Sequence, residues 1–342
     1  MSLKNLSATI KIHKLLINKL KNKKIKQIYK KFEKSLNLNE NFAVAVSGGP
    51  DSLALAYLAK VYSIKNKLTP KFFIVDHKLR PESTREAKTV KQALRKYSIS
   101  SEILTWRKKK PTQNIQSLAR NKRYKLIFSK CNKYKINNIL LGHHLDDLFE
   151  NFFIRILRGS GLKGLISLEK KSKTENKYLL RPLLDQKKED LVFLTKKVFN
   201  FFVEDPSNND EKYQRIKIRK LIKELQNNGL DKYKLQKTIK NLKNSNTVVN
   251  FYVEKNLKKN TFYLPKFNKL ILNKKFFQQP QEVKFRAFSN SIKLIGKNYY
   301  SPRGKKLDRI INEIENCKFF RATLGGCIVE KVNQTVIISK EH

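Results

Sequence analysis

The hexapeptide Ser47-Gly48-Gly49-Pro50-Asp51-Ser52 is the first stretch of this 342-residue chain built for chemistry. Two glycines let the backbone approach a ligand closely and turn N–H groups toward it. A helix beginning at Asp51 adds the positive end of its dipole, and Ser47 and Ser52 bring hydroxyl donors. Together they form a cradle for phosphates. It is not a Walker A loop, because no G-x-x-x-x-G-K-[ST] pattern occurs.

Three further clusters follow. Val75-Asp76-His77-Lys78-Leu79-Arg80 places charge directly after an apolar run. Arg120 and Arg123 lie three apart, on neighbouring positions of one helical face. The plain alternatives for these two are a solvated loop and a basic surface face. The fourth cluster is Leu141-Gly142-His143-His144-Leu145-Asp146-Asp147-Leu148-Phe149-Glu150-Asn151. At about 100° per residue, His143, Asp146, Asp147 and Glu150 share one face of a helix, and Leu145, Leu148, Phe149 and Phe152 share the other. No Lys or Arg occurs from Gly142 to Ile154, although the two types make up 75 of 342 residues. Such an acidic patch suits Mg²⁺, which takes oxygen ligands, and it equally suits capture of an ammonium group. The bland alternative is an acidic first turn complementing the helix dipole.

These clusters need elements to hold them in place. Residues 8–38 read as helix. Residues 42–46 and 72–75 are wholly apolar, the pattern of strands buried on both faces in a parallel sheet. Helices over 51–62, 83–97, 114–134 and 143–157 alternate with further strands at 102–106 and 138–141. This alternation predicts an α/β fold with a doubly wound, mostly parallel sheet. Ligands in such sheets sit beyond the carboxyl ends of the strands, where the clusters fall. Residues 159–177 read as loop, 186–201 and 211–226 as helix, with a turn at 205–210. Asn227-Asn228-Gly229 marks a domain boundary. It leaves 1–229 as the catalytic domain with a helical N-terminal extension, and 230–342 as a smaller mixed α+β domain. The latter carries helices near 231–258, 281–296 and 303–316, and strands near 261–272 and 319–339. Its aromatics Phe262, Tyr263, Phe267, Phe276, Phe277 and Tyr299 are expected to fill a core.

Composition sets the outer bounds. The net charge of +47 points to a polyanionic partner. The charge is even, +31 over 1–229 and +16 over 230–342, so it locates no patch. Lys outnumbers Arg 60 to 15, a bias that makes the few planar guanidinium groups informative. Arg80, Arg120, Arg123, Arg155, Arg158, Arg181, Arg215 and Arg219 all fall near the clusters. No run approaches the roughly 20 apolar residues of a membrane helix. Three scattered cysteines without a C-x-x-C pair argue against a disulfide framework. A cytoplasmic protein is expected, and nothing in the sequence sets an oligomeric state.

The hexapeptide resembles the S-G-G-x-D-S pyrophosphate loop of the ATP-pyrophosphatase (PP-loop) superfamily, which cleaves ATP between its α and β phosphates and transfers AMP. Taken in order with V-D-H-x-L-R, Ala119-Arg120, H-H-x-D-D-x-x-E, Arg158-Gly159-Ser160-Gly161, Arg181-Pro182, Glu204-Asp205-Pro206-Ser207-Asn208 and Arg215 to Arg219, it is similar to the tRNA(Ile)-lysidine synthetase family over nearly all of 42–219. The C-terminal part resembles the family more faintly, at Ser301-Pro302-Arg303-Gly304 and 321–327. This chain has Asn151 where the family has Thr, and Ile216 where it has Asn.

The resemblance implies ATP and Mg²⁺ as cofactors, and as partners L-lysine and the isoleucine tRNA with a CAU anticodon, with neither DNA nor membrane. It implies adenylation of the wobble cytidine at its C2 oxygen, then attack by the lysine amine. Ser47 to Ser52 would bind the ATP phosphates. Asp51, Arg120, His143 and Asp147 would be catalytic, with Asp51 and Asp147 toward the metal. Asp147, Glu150, Arg215 and Arg219 would bind substrate, and 230–342 would grip the tRNA. The nearest alternative is tRNA thiolation within the same superfamily, which typically uses paired cysteines.

Overall fold

The computed structural model describes residues 3–106, 115–204, 214–297, 302 and 304–341. It divides into two compact units, Met1–Leu235 and Gln236–His342.

In the first unit, the apolar runs become adjacent strands. β1 (Phe42–Val46), β2 (Lys71–Asp76), β3 (Ser101–Thr105), β4 (Asn138–Leu140), β5 (Lys171–Thr174) and β6 (Lys177–Leu180) form one sheet in the order β3-β2-β1-β4-β6-β5. All its pairs are parallel except β5 with β6. Alternate residues of each strand enter opposite cores. Ala43, Phe73, Leu104, Ile139 and Leu179 pack on one face, and Phe42, Val44, Phe72, Ile74, Leu140 and Leu180 on the other. The strand order turns outward in both directions from β1 and β4, and the crevice between their carboxyl ends is the binding position of such sheets.

Helices α1 (Leu3–Asn18), α2 (Lys23–Lys34), α3 (Pro50–Lys65), α4 (Ser83–Arg95), α5 (Ile115–Lys133), α6 (Leu145–Leu157), α7 (Leu162–Leu165), α8 (Lys188–Phe199) and α9 (Gln214–Asn227) complete this unit. The single helix expected over 8–38 is two. Asn22 is extended, and its side chain accepts from the Lys24 and Ile25 N–H groups at 3.1 Å each, so it caps a fresh start. The stretch expected as loop at 159–177 contains α7 and the antiparallel β5–β6 hairpin, turning at Glu175 with φ 53°. Lys171-Ser172-Lys173-Thr174 carries no apolar signal because it is an edge strand, where lysine is a usual protection. α3 is buried along nearly its whole circumference over its first turns, consistent with the apolar run at 53–59. The turn signal at 205–210 lies outside the described residues, as do Tyr213, Tyr299, Ser301 and Arg303.

α10 (Lys232–Asn260) runs from the first unit into the second. The second unit then has β7 (Thr261–Leu264), β8 (Lys269–Leu272), α11 (Lys274–Phe277), α12 (Gln281–Gly296), α13 (Gly304–Asn316), β9 (Phe319–Leu324), β10 (Cys327–Val332) and β11 (Thr335–Lys340). Its sheet is antiparallel, ordered β7-β8-β11-β10-β9. Leu270, Leu272, Val329, Val336 and Ile338 pack against Phe288, Ile292, Leu307 and Ile311 of α12 and α13. The aromatics expected inside divide. Phe276 is buried and Phe277 packs at the edge of the core, but Phe262, Tyr263 and Phe267 are exposed. Phe262 and Tyr263 sit on β7, an edge strand, and Phe267 in the turn after it, where they are exposed among the described residues.

Candidate active site

The β1–α3 loop is shaped by its glycines. Gly48 has φ +92°, and a Cβ there would come within 2.6 Å of Val90 Cγ2 and 3.2 Å of Val203 Cγ2. Its carbonyl accepts from Val203 N–H at 2.9 Å. Only glycine satisfies both the dihedral and the space. The Ser52 hydroxyl accepts from the Ser47 and Gly48 N–H groups at 3.1 Å each and donates to Gly49 O at 2.9 Å. Ser52 therefore staples the loop instead of offering its proton outward, and two of the N–H groups expected to face a ligand are used internally. The anion-binding capacity left is the start of α3. Pro50 at the first helical position has no N–H, and the N–H groups of the next residues have no intrahelical acceptor.

Asp51 is the acid of that first turn. Its Oδ1 is buried and has no hydrogen-bond partner, while Oδ2 lies 3.5 Å from His144 Nε2. Asp76, at the end of β2, accepts from the Lys78 N–H at 2.9 Å, Ser83 Oγ at 2.9 Å and Thr84 Oγ1 at 2.7 Å. Burial alone would raise its pKa, but these donors and the Lys78 charge lower it. Asp76 thus folds the segment that presents His77 and Arg80.

A cavity of about 430 Å³ opens at the β1/β4 crevice. Its wall includes Ser47, Gly49, Asp51 and Ser52 from the loop, His77 and Arg80 after β2, Arg120 and Arg123 of α5, His143 after β4, and Arg215 of α9. Gly48, Pro50, Asp147, Glu150 and Arg219 are not on that wall. Arg120 and Arg123 lie over Tyr124 at 5.5 and 5.7 Å. Burial lowers the pKa of Arg123, and the neighbouring Arg120 and Arg215 push the same way. Arg181 is buried behind them, donating to Glu169 O at 2.8 Å and Ser172 Oγ at 3.0 Å, with its Nε unpartnered. Burial and Arg120 lower its pKa too. Among the described residues none of these guanidinium groups forms an ion pair, although the Glu169 charge acts on Arg181 and the Asp147 charge on Arg215, so the cluster suits an anion.

The acidic helix departs from its expected form at the start. α6 begins at Leu145, so His143 precedes the helix and does not share its face. His143 is held neutral, its pKa pushed down to about 3 by burial and by Arg181, Arg120 and Arg123, against Asp147. Its Nδ1 is buried without a partner. The imidazole among the carboxylates is His144, which the helical spacing passed over. His144 caps α6: its ring Nδ1 accepts from the Asp146 N–H at 3.2 Å, and the His144 backbone N–H donates to Asp147 Oδ2 at 3.0 Å. The signal was present as H-x-x-D before an apolar helix, a capping box with unusual residue types. Burial opposes charge on His144, yet the contact with Asp51 and the carboxylates of Asp147 and Asp146 raise its pKa. A proton on Nδ1 would break the cap, so the cap favours the neutral ring protonated at Nε2.

Asp147 keeps a lowered pKa despite burial, through His144, His143, the His144 N–H and Arg215. The other two acids are already engaged by the chain's own cations. Asp146 pairs with Lys232 at 2.9 Å, and Glu150 with Arg219 at 2.5 Å. Glu150 is 3% exposed, its pKa is raised by burial against Arg219, and its Oε2 has no partner. Ile216, where a polar residue was expected, is a core side chain. Asn151 donates to Ser167 Oγ at 3.2 Å. Among the described residues, no three His, Cys, Asp or Glu side chains are grouped to hold a metal by themselves.

Fold, loop and cavity define a phosphate-binding α/β domain. Residues 18–225 match the PP-loop domain family. The chain is 36% identical to the tRNA(Ile)-lysidine synthase of Orientia tsutsugamushi over 317 residues, covering 89% of this chain and 70% of that protein. It is 34% identical to the enzyme of that name from Wolbachia pipientis, covering 89% of this chain and 71% of that one. Among solved structures, a U34-tRNA thiolase from Methanococcus maripaludis shares the fold, with a TM-score of 0.55 at 19% identity over 64% of this chain and 78% of that chain. The chain belongs to the tRNA(Ile)-lysidine synthase family and is an ATP-dependent ligase.

Proposed function

We propose that this chain joins L-lysine to C2 of the wobble cytidine in the isoleucine tRNA with a CAU anticodon, using ATP and Mg²⁺. The observation that carries this reading is the wall of the cavity, which places the start of α3, Asp51, Arg120, His143 and Arg215 around one space.

The cytidine C2 oxygen attacks the α-phosphorus and pyrophosphate leaves. The lysine ε-amine then attacks C2, the C2–O bond breaks, AMP departs with the oxygen, and the amine loses a proton. The α3 N-terminus holds phosphate. Arg120 and Arg123 stabilise charge as pyrophosphate leaves. His143, neutral at working pH, offers its orphan Nδ1 as an acceptor and binds the activated base. Arg215 and Arg219 meet the RNA. The orphan oxygen of Glu150 supports capture of the lysine amine, alongside Asp147. Residues from 230 onward grip the tRNA with dispersed cations and contribute no catalytic group.

For Mg²⁺, the buried, unpartnered Asp51 Oδ1 and the ionised Asp147 are suitable hard donors. Two protein carboxylates match a cation whose shell is completed by phosphate oxygens and water. Bound there, it would neutralise phosphate charge. Sulfur transfer is disfavoured on chemical grounds. Cys131 is a core residue whose thiol is pushed up to about 12 by burial, and burial likewise pushes the Cys327 thiol up to about 11.

The test is incubation with that tRNA, ATP and radiolabelled lysine. Label should enter the RNA, with one AMP and one pyrophosphate per event. Release of ADP, or incorporation from a sulfur donor in place of lysine, would overturn the reading.

A further inference from the structure

Two loops from neighbouring strands meet at one imidazole. The loop after β1 supplies Asp51, and the loop after β4 supplies His144 and the first turn of α6. Gly142 lets them touch: a Cβ there would lie 3.3 Å from the Asp51 carbonyl carbon and oxygen and from Ser52 Cα. That is tighter than ordinary van der Waals contact, so a side chain there would require these loops to give by a few tenths of an ångström.

His144 is 4% exposed and each of its ring nitrogens has work. Nδ1 accepts the Asp146 N–H, so in the capped state the ring proton sits on Nε2. Nε2 lies 3.5 Å from Asp51 Oδ2 and 3.5 Å from Asp147 Oδ2. One N–H thus faces two carboxylates that would otherwise repel each other. The same contact decides which Asp51 oxygen remains available, since Oδ2 faces the imidazole and the buried Oδ1 has no partner.

We propose that His144 is a positioning residue for the adenylation step: it caps α6 through one nitrogen and, through the other, clasps Asp51 to Asp147 so that Asp51 Oδ1 is aimed at the phosphate end of the cavity. The inference rests on the reading of Asp51 and Asp147 as the phosphate and metal end. It assigns His144 no contact with substrate and no proton transfer.

Capping and clasping are separable by substitution in the full-length chain. His144→Asn keeps a strong N-cap, because Asn is among the best capping residues, but its short amide cannot span both carboxylates. His144→Ala loses both functions. His144→Gln restores a donor near the Nε2 position without the cap. Three readouts apply: thermal melting, ATP–pyrophosphate exchange with the tRNA resolved into kcat and KM for ATP, and the imidazole ¹⁵N shifts of His144.

His144→Asn should melt within about 2 °C of the parent yet lose about 100-fold in kcat with KM for ATP little changed, the scale of a misplaced reacting group. His144→Ala should lose as much kcat and also melt about 2–4 °C lower, the scale of a missing cap. His144→Gln should recover part of kcat while melting like Ala. The ¹⁵N shifts should show Nε2 protonated and Nδ1 acting as acceptor. Full kcat in the Asn variant, melting of that variant as low as Ala, or a proton on Nδ1 with Nε2 bare would each overturn the clasp. If the parent shows no exchange at all, the functional reading fails instead, and the melting and ¹⁵N results still judge the clasp.

Discussion

The crevice has two sides of opposite charge, and they are finished differently. On the cationic side, Arg120, Arg123, Arg181 and Arg215 form no ion pair with a carboxylate among the described residues, and Arg123 and Arg181 are depressed in pKa by burial and by neighbouring guanidinium groups. On the acidic side, every carboxylate of α6 has a partner: Lys232 for Asp146, His144 for Asp147, Arg219 for Glu150. The cationic side carries guanidinium charge that the fold does not pair with a carboxylate in contact. The acidic side is largely neutralised by the chain's own cations, with Glu150 Oε2 and Asp51 Oδ1 left as the buried oxygens without a partner. A region that is destabilised when empty identifies its ligand more plainly than one already neutralised.

The largest effect expected from this contrast is catalytic. Asp51→Asn and Arg120→Ala should each reduce ATP–pyrophosphate exchange by about 10²–10³-fold, while the dissociation constant for tRNA stays within about threefold, because RNA affinity comes from many dispersed cations. Loss of RNA affinity as the main result in both would show that the ATP site is misplaced.

Stability should then respond with opposite signs on the two sides. Glu150→Gln strands Arg219 beside a buried amide and should cost about 3 kcal/mol in chemical denaturation, the low end for a broken buried pair because Arg219 is partly exposed. Arg123→Met removes a desolvated charge that has no carboxylate partner, at similar volume. It should raise the melting temperature of the free protein by about 2–4 °C, and reduce the further rise given by ATP. Equal destabilisation by both changes would erase the distinction between the two sides.

A smaller effect concerns pH. His143 has a folded pKa of about 3, below its ordinary 6.5. The unfolded chain therefore takes up the proton first, and the stability contributed by neutral His143 is fully present above pH 6.5 and lost as pH falls toward 3. His143→Gln should flatten the melting-temperature profile across that window. A profile unchanged from the parent would place the acid sensitivity elsewhere.

The smallest effect tests the second unit. Lys305 and Lys306 are exposed on α13. Replacing both with Gln should leave exchange kinetics intact and reduce the slope of log affinity for tRNA against log salt by up to about 0.9 for each phosphate no longer neutralised. No change in slope would remove these lysines from the RNA surface.

Much of this was decided by local sequence. Wholly apolar FAVAV and FFIV forced a parallel sheet buried on both faces, because a strand without polar alternation has no face to give to water. Gly48 and Gly49 after such a strand fixed the loop, and the ordered motifs from Ser47 to Arg219 placed the chain in its family. Sequence did not reveal the β5–β6 hairpin, whose edge strand is polar because only one of its edges is paired. Nor could residue types alone show that Ser52 is used within the loop, which depends on the turn folding its hydroxyl back onto Ser47, Gly48 and Gly49, or that Phe262 and Phe267 lie exposed, which depends on tertiary packing. The helical wheel put His143 with the acids by assuming that the helix began two residues early, at 143 instead of Leu145. Tertiary structure decided otherwise: His144 takes the cap because its Nδ1 can accept from the first turn while Nε2 reaches Asp51 from another loop. Residue type and order set which chemistry is available, but which nitrogen meets which oxygen is fixed only when β1 and β4 lie side by side.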